Sequence, residues 1–337
     1  MNYKALVEQD RGGILENVHF GVVCGVDEQS EVSFSVGDPE HHTFLRSAAK
    51  PFQAIPAALH RIDEIYGLTS KEAALFAASH RGETYHIEGL QSIMEKTGLH
   101  EESLVVLPTY PLNDAPKYEL LRHNEEKRRI YHNCSGKHFG VLATCKHLGY
   151  PLENYYEAEH PLQQEILKVF AYLTEYPQEQ IGIGVDGCGF PVYALPLKNL
   201  AIGYLKLACP DLIEDAEIRA AVVKVAGWMN ENPDIIASHE FICSELLRDP
   251  NIVAKGGAKG VYGVGLKKER MAFALKVIDG SELVWPTIVA SILEQIGYEN
   301  KETIARLYAL TPSEIRNDNQ RLVGENRVTF DIRQQNE

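Results

Sequence analysis

The sequence predicts a mixed α/β (α+β) fold in which both ends of the chain build one central antiparallel sheet and a helical insert lies between them. Apolar and β-branched runs broken by glycine and turn residues concentrate near the two ends, whereas apolar residues at helical spacing dominate the middle. Strands from distant segments beside a run of helices are typical of this class. We expect one catalytic unit over residues 1–337, with a sheet part at about 1–60 and 181–337 and a helical part at about 61–180.

The individual elements follow the same patterns along the chain. Predicted strands are 3–8, 18–26, 32–36, 181–185, 190–195, 252–255, 260–266, 271–277 and 321–332. Predicted helices are 47–58, 71–78, 85–96, a helix that opens near Cys134 and reaches about 147, 161–173, 200–207, 216–229, 283–296 and 301–310. No glycine-rich nucleotide motif follows a strand, so nucleotide binding has no support.

Composition narrows the class of protein. The net charge of -14 argues against a nucleic-acid surface. The first residues do not combine a basic segment with an apolar one, and no apolar run approaches the roughly 20 residues that span a bilayer. We therefore predict a cytoplasmic protein without a nucleic-acid or membrane partner, in which six cysteines are not a disulfide framework.

The segment Ser47-Ala-Ala-Lys50-Pro51 is the first candidate for chemistry. On a helix that begins near Ser47, Lys50 lies one turn further on the same face, and proline is accepted in the first turn. Ser-x-x-Lys is the nucleophile motif of penicillin-binding proteins and class A β-lactamases. A lysine can take the proton of a serine hydroxyl when burial and neighbouring charge lower the lysine pKa.

Two further segments occur in the order that such a site requires. Ser79 ends a helix of the predicted insert, and Lys255 ends a short strand and precedes two glycines. A second Ser/Lys pair relays a proton to the leaving amine, and glycines let a substrate approach a strand. Lys259, four residues further on, competes with Lys255 for this role.

A cysteine cluster forms the second candidate. Cys134, Lys137 and His138 share one helical face, and Cys188 lies in a glycine turn between two strands. Three interpretations stay open at this point: a zinc site, a polar loop with two free thiols, and a reactive Cys134 activated by Lys137.

Two charged residues complete the candidate set. Asp186 follows a strand and precedes glycine, which suits a carboxylate that binds a cation in a cleft. Arg46 stands directly before Ser47, where a guanidinium can bind a carboxylate through two hydrogen bonds. Together they suit an α-amino acid zwitterion.

These motifs resemble the rhizobial-type, or class 3, L-asparaginases over nearly the whole chain. The matching stretches are Leu15–His19, Arg46–Gln53, Ser79-His80, His132–His138, Asp186–Gly189 and Lys255–Ala258. The resemblance implies a fold similar to serine β-lactamases and glutaminases, a homodimer, and two Ser/Lys tandems carried by Ser47–Lys50 and Ser79–Lys255. It also implies zinc held by Cys134, Lys137 and Cys188, which supports substrate binding more than it activates water.

The chain departs from the family pattern at two places. The family commonly has Cys-Gly-x-His where this chain has Leu107-Pro108-Thr109-Tyr110. It usually has Gly-Ala-Glu-Gly where this chain has Gly257-Ala-Lys259-Gly, which reverses a charge near the second tandem. The resemblance therefore leaves substrate preference open.

We expect hydrolysis of L-asparagine to L-aspartate and ammonia through an acyl-enzyme on Ser47, with Lys50 as the base. Arg46 is expected to hold the α-carboxylate and Asp186 the α-ammonium, with His138 in the same pocket. The alternatives are a glutaminase or another Ser/Lys amidohydrolase, and a non-catalytic zinc- or amino-acid-binding protein on the same scaffold.

Overall fold

A computed structural model describes residues 2–333 of the chain. It divides into two compact units: a sheet unit, formed by Met1–Ala48, Leu195–Ala208 and Glu240–Glu337, and a helical unit, formed by Ala49–Ala194 and Cys209–His239. Residues 49–60, 181–194 and 209–239 thus belong to the helical unit, although the sequence groups them with the sheet. Within the described residues, no helix has the length and apolar character needed to cross a bilayer.

The strands and helices are numbered in chain order. The strands are β1 (Lys4–Arg11), β2 (Ile14–Val26), β3 (Val32–Val36), β4 (His42–Phe44), β5 (Gly182–Val185), β6 (Pro191–Pro196), β7 (Ile252–Gly257), β8 (Val261–Leu266), β9 (Met271–Val277), β10 (Glu314–Arg316) and β11 (Leu322–Val328). The helices are α1 (Lys50–Gln53), α2 (Ile55–Leu59), α3 (Ile62–Ile65), α4 (Ser70–Ala74), α5 (Thr84–Thr97), α6 (Asp114–Arg122), α7 (Ser135–Leu148), α8 (Pro161–Thr174), α9 (Leu197–Ala208), α10 (Ala216–Glu231), α11 (Pro233–Ile236), α12 (Ile242–Leu247), α13 (Trp285–Gln295) and α14 (Lys301–Leu310).

The sheet unit contains the antiparallel sheet that the sequence predicts, and this fold class is confirmed. The strand order is β10-β11-β1-β2-β9-β8-β7, with β3 also paired to β2, and adjacent strands run antiparallel. The N-terminal strand β2 pairs directly with the C-terminal strand β9, so that Gly21 stands opposite Val277. Residues of β7 and β8 are buried throughout, which explains their apolar and glycine-rich sequence.

Helix α9 packs on strands β8 and β9 in the sheet unit. The glycines at 263 and 265 permit this contact, because a Cβ atom at Gly263 would lie 2.3 Å from the Tyr204 ring and one at Gly265 would lie 2.3 Å from the Tyr204 carbonyl oxygen. The buried Tyr204 hydroxyl donates to the carbonyl of Ala48 at 2.8 Å, so α9 fixes the segment that follows Ser47.

The helical unit is built around α7, whose residues Ser135–Cys145 are all buried. Helix α10 packs on α2 and α4 in this unit, which is why residues 216–231 group with the helices. Side chains cap several helix starts. Thr69 and Glu72 form a reciprocal capping box at α4, and Asp215 accepts two backbone hydrogen bonds at α10.

The helix predicted over 47–58 is wrong in detail. A 3₁₀ turn covers Arg46–Ala49, and α1 and α2 follow as separate short helices on either side of Ala54. Pro51 and Pro56 each stand in the first turn of one of them, because proline lacks the N–H that a continuous helix needs.

Helix α6 is not predicted by the sequence pattern, since none of its residues is buried.

Replacing Gly265 by alanine tests the close contact between α9 and β8. The added methyl group meets the rigid Tyr204 backbone, so we expect G265A to lower the free energy of unfolding by about 1–3 kcal/mol in a denaturant titration. Gly227 on α10 has open space around its Cβ position, and G227A should instead be stabilising by up to about 1 kcal/mol. Equal effects of both changes would contradict this packing.

Candidate active site

Ser47 lies in the 3₁₀ turn Arg46–Ala49 and is partly exposed. The preceding residue, Arg46, has a φ of 50°, a left-handed conformation that costs a non-glycine residue roughly 1–2 kcal/mol. The turn is closed by the Ala48 N–H, which donates to the Leu45 carbonyl at 3.0 Å. A strained conformation held next to a candidate nucleophile fits a segment shaped for function.

Strand β7 packs against this turn within the sheet unit. A Cβ atom at Gly257 would lie 2.3 Å from the Leu45 carbonyl oxygen and 2.8 Å from the Ala48 nitrogen, so only glycine allows this approach. The Tyr204 hydroxyl that donates to Ala48 also lies 3.3 Å from the carbonyl oxygen of Lys255. The structure therefore brings the Ser47 turn and the Lys255 strand together.

The two competing lysines differ in environment. Lys255 is on β7, its side chain is 2% exposed, and its Nζ donates to the Gly256 carbonyl at 2.7 Å. Lys259 is exposed in the turn between β7 and β8, with a φ of 67°. Burial favours Lys255 over Lys259 as a proton carrier, because water does not solvate the charged form of a buried amine.

Lys50 is the central charged group of the helical unit. Its side chain is 1% exposed, and its Nζ donates to the Ala78 carbonyl at 2.7 Å, the Ser79 Oγ at 3.0 Å and the Asn133 carbonyl at 3.3 Å. Burial lowers the pKa of Lys50, the nearby Cys134 opposes this, and the charge of Lys137 adds to it. A lysine with a lowered pKa that contacts a serine hydroxyl is suited to accept and return a proton.

A hydrogen-bonded chain holds the segment that follows Ser79. The Gly82 N–H donates to His80 Nδ1 at 3.2 Å, so the ring proton is on Nε2 and points to Ser135 Oγ at 2.8 Å. Ser135 in turn donates to the Ile130 carbonyl at 3.0 Å. Burial and nearby positive groups hold the pKa of His80 well below its usual value, so this imidazole stays neutral and acts as a fixed support.

The structure brings Cys134, Lys137 and Cys188 together, and the metal site that the resemblance implies for them stays a prediction. Lys137 Nζ lies 3.2 Å from Cys188 Sγ and 4.0 Å from the centre of the Phe190 ring. A hydrogen bond from Cys188 and the charges of Lys50 and Lys137 hold the pKa of Cys134 well below its usual value despite burial. The hydrogen bond with Cys134 raises the pKa of Cys188. The two thiols are therefore coupled, with the pKa lowered at Cys134 and raised at Cys188.

His138 completes this cluster. The Val105 N–H donates to the Tyr155 hydroxyl at 3.0 Å, and that hydroxyl lies 2.7 Å from His138 Nδ1. The His138 Nε2 is buried without a partner of normal hydrogen-bond geometry in the described residues, and Cys188 is near it. Burial lowers the pKa of His138 to about 4.

The donor set fits zinc only if the lysine amine takes part. Two thiols and a buried imidazole nitrogen are ligand types that zinc prefers. However, within residues 2–333 no three His, Cys, Asp or Glu side chains are grouped so that they could hold a metal ion. Lys137 would have to release a proton to bind, against a pKa that Cys188 and Cys134 raise despite burial.

Asp186 lies in the tight turn between β5 and β6. Its N–H donates to the Phe190 carbonyl at 2.8 Å, and its Oδ1 accepts from the Gly187 N–H at 2.8 Å. Gly189, with a φ of 86°, closes the same turn. The carboxylate is partly exposed, and its charge acts on Lys137.

The predicted site residues fall into two groups. The sheet unit holds Arg46, Ser47 and Lys255, and the helical unit holds Lys50, Ser79, Cys134, Lys137, His138, Asp186 and Cys188. The roles assigned to them, including the Ser79–Lys255 tandem, stay predictions. The supports from His80, Ser135, Tyr155 and Tyr204 are not predicted by the sequence. The sequence feature that could have pointed to His80 is its position directly after Ser79.

The chain belongs to the L-asparaginase II family, whose model matches residues 7–328, and this membership defines its class, an amidohydrolase. The resemblance seen in the sequence motifs is thereby confirmed. No curated protein matches the chain.

Several solved structures are similar to this one. They include Mglu in its native form at 4.3 M NaCl (14% identity, 86% of this chain and 60% of that chain, TM-score 0.41). They also include the β-lactamase Mb2281c from Mycobacterium bovis (12%, 82% and 94%, TM-score 0.40) and Bacillus glutaminase at 4.3 M NaCl (13%, 82% and 90%, TM-score 0.38). The chain thus spans 60% of the length of Mglu in the first of these structures.

Removing the Ser135 hydroxyl tests the support under the Ser79 segment. S135A leaves the buried His80 Nε2–H without its acceptor, so we expect a loss of about 1–3 kcal/mol in unfolding free energy by denaturant titration. Ser313 is exposed, and S313A should change stability by less than about 0.5 kcal/mol. A neutral S135A variant would show that the hydrogen-bonded chain contributes nothing.

Proposed function

We propose that this protein hydrolyses the side-chain amide of L-asparagine to L-aspartate and ammonia. Family membership supports an amide substrate. The observation that carries the proposal is Lys50, whose almost fully buried amine contacts the Ser79 hydroxyl and whose pKa is lowered by burial. Neither a surface lysine nor a structural ion pair has these properties.

The proposed reaction has two halves. The Ser47 oxygen attacks the amide carbon while its proton passes to Lys50, and the carbon–nitrogen bond then breaks as ammonia takes up a proton. Water attacks the resulting Ser47 ester, which releases L-aspartate and restores the hydroxyl. Ser79 contacts Lys50, so it can pass a proton from that amine toward the leaving group. Lys255 as its tandem partner is part of the proposal.

Substrate binding is assigned by charge. Arg46 adjoins the nucleophile and is proposed to hold the α-carboxylate, and Asp186 is proposed to hold the α-ammonium. His138 is proposed to contribute from the pocket wall, since its Nε2 is buried without a partner of normal geometry in the described chain. A homodimer is proposed from the family resemblance alone.

Zinc is proposed at Cys134, Lys137 and Cys188. When bound, it would neutralise the thiolate charge and fix both sulfur atoms in place. The residues themselves couple this cluster to the reaction, because Cys134 and Lys137 both act on the pKa of Lys50. A change of charge at the cluster would therefore change the proton affinity of the Lys50 amine.

Replacing Ser47 by alanine tests the nucleophile. We expect S47A to lower ammonia release from L-asparagine by at least about 10³-fold, because the change removes the hydroxyl that forms the ester. The circular dichroism spectrum and the unfolding midpoint should stay close to those of the parent protein, since Ser47 is partly exposed.

The substrate assignment is tested with the parent protein on L-asparagine, L-glutamine and a β-lactam. We expect the highest kcat/KM for L-asparagine. Faster release from glutamine would indicate a glutaminase, and tight asparagine binding without ammonia would indicate a binding protein.

Metal content tests the thiol cluster. We expect about one zinc per chain in the parent protein by atomic emission, and close to none in C134A or C188A. Cys145 is the matched control: it is a buried thiol on the same helix, burial raises its pKa to about 12, and C145A should retain the metal. Equal zinc in C134A and C145A would rule out this site.

A further inference from the structure

Cys243 is a fully buried cysteine that the proposed reaction does not use, and it lies against the strand that carries Lys255. It is on α12, which packs on β7 in the sheet unit. Strand β7 is the last strand on its side of the described sheet, so the main-chain groups on its outer edge need partners other than a strand. The Cys243 thiol is one such partner.

The sulfur atom of Cys243 accepts two hydrogen bonds. The Gly256 N–H donates to Sγ at 3.3 Å, and the Tyr262 hydroxyl donates to the same atom at 3.3 Å. Burial and the nearby Cys243 raise the pKa of Tyr262 well above its usual value, so this hydroxyl keeps the proton that it donates. The thiol is thus bound both to the main chain of β7 and to a side chain of β8.

The peptide group between Lys255 and Gly256 is held at both of its polar ends. Its N–H donates to Cys243, and its carbonyl oxygen lies 3.3 Å from the Tyr204 hydroxyl. Tyr204 also donates to the Ala48 carbonyl at 2.8 Å, in the turn of the proposed nucleophile. A rotation of this peptide group would break both contacts. Its orientation relative to the nucleophile turn therefore depends on the sulfur on one side and on the phenol on the other.

The main chain at Gly256 in turn holds the Lys255 amine. Lys255 Nζ donates to the Gly256 carbonyl at 2.7 Å, so the side chain folds back onto its own strand. A Cβ atom at Gly256 would lie 2.8 Å from the Tyr262 ring and 2.9 Å from the Trp285 ring. These two buried rings are in contact, with 5.0 Å between their centroids. Two aromatic rings and one sulfur atom therefore confine the residue to which the amine is bonded.

We propose that Cys243 is a positioning residue for Lys255: its sulfur holds the Lys255–Gly256 peptide and thereby the carbonyl that orients the amine. The inference rests on the proposed function, in which Lys255 carries a proton in the second tandem. The sulfur acts only through the main chain, and no bond to it forms or breaks. A small displacement of a proton carrier lowers kcat, whereas substrate binding depends on other groups.

The test compares three variants of Cys243 with a control. C243A and C243V both remove the acceptor of the Gly256 N–H, and C243V also fills the space that the sulfur leaves. C243S keeps a hydroxyl acceptor at the same position. The control is C24A, because Cys24 is another fully buried cysteine of the sheet unit and its strand β2 is separated from β7 by β9 and β8.

Two quantities are measured on each full-length protein: kcat and KM for L-asparagine, and hydrogen–deuterium exchange at the Gly256 amide by mass spectrometry with fragmentation. We expect C243A and C243V to lower kcat about three- to tenfold, with KM within about twofold of the parent value. Exchange at Gly256 should be at least about tenfold faster in both than in C24A, because the amide has lost its acceptor.

C243S should restore kcat to within about twofold of the parent value, and C24A should match the parent protein. A C243S variant as slow as C243V would overturn the proposal, since the acceptor would then not matter. A C24A variant as slow as C243A would also overturn it, because loss of any buried thiol would have the same effect. If C243A does not fold, C243V against C243S decides between these results.

Exchange at Gly256 separates this inference from the proposed function. If no amide is hydrolysed but exchange rises in C243A and C243V and not in C243S, the hold of Cys243 on β7 stands and the hydrolase assignment fails. If amides are hydrolysed and all variants match the parent protein in kcat and in exchange, the positioning role fails and the hydrolase assignment stands.

Discussion

The amine of Lys50 is buried away from solvent, and three protein oxygen atoms accept its hydrogen bonds in place of water. Two are main-chain carbonyls, and the third is the hydroxyl of Ser79. A buried ammonium is stable only with such partners, and each partner fixes a different part of the chain. Ala78 and Ser79 end one helical segment, and Asn133 precedes α7. The position of this one amine thus depends on both segments being in place.

The thiol cluster belongs to the same electrostatic system. Cys134 follows Asn133, and Cys188, Lys50 and Lys137 hold its pKa well below the usual value. Cys134 opposes the effect of burial on the Lys50 pKa, while the positive charge of Lys137 adds to that effect. A metal, a proton or an oxidant at the sulfur atoms would therefore change the proton affinity of the Lys50 amine.

Much of this arrangement could be predicted from the sequence, and the reasons for success and failure are physical. The antiparallel sheet followed from apolar strands at both ends, because burial on two faces leaves a strong composition signal. The motif residues Lys137 and Cys188 lie in contact, while the zinc role that the resemblance implies for them stays a prediction. The continuous helix predicted from Ser47 is absent from the described residues, because Pro51 and Pro56 each begin a separate short helix. Exposed α6 has no apolar face to detect.

The residues whose contacts hold the site in place could not be predicted from the sequence, for a different reason. His80, Ser135 and Tyr204 act through contacts between residues far apart in the chain. No local pattern encodes the partner of a buried hydroxyl or imidazole.

Peptide mapping of an acid-quenched reaction with L-asparagine tests the central claim most directly. Ester formation is expected at Ser47, so the peptide that contains it should carry the mass of an aspartyl group during turnover and lose it as substrate is exhausted. A label on the Cys134 peptide would contradict the account, because it would identify that thiol as the nucleophile. Sustained ammonia release without any labelled peptide under single-turnover quench conditions would likewise exclude a covalent Ser47 intermediate.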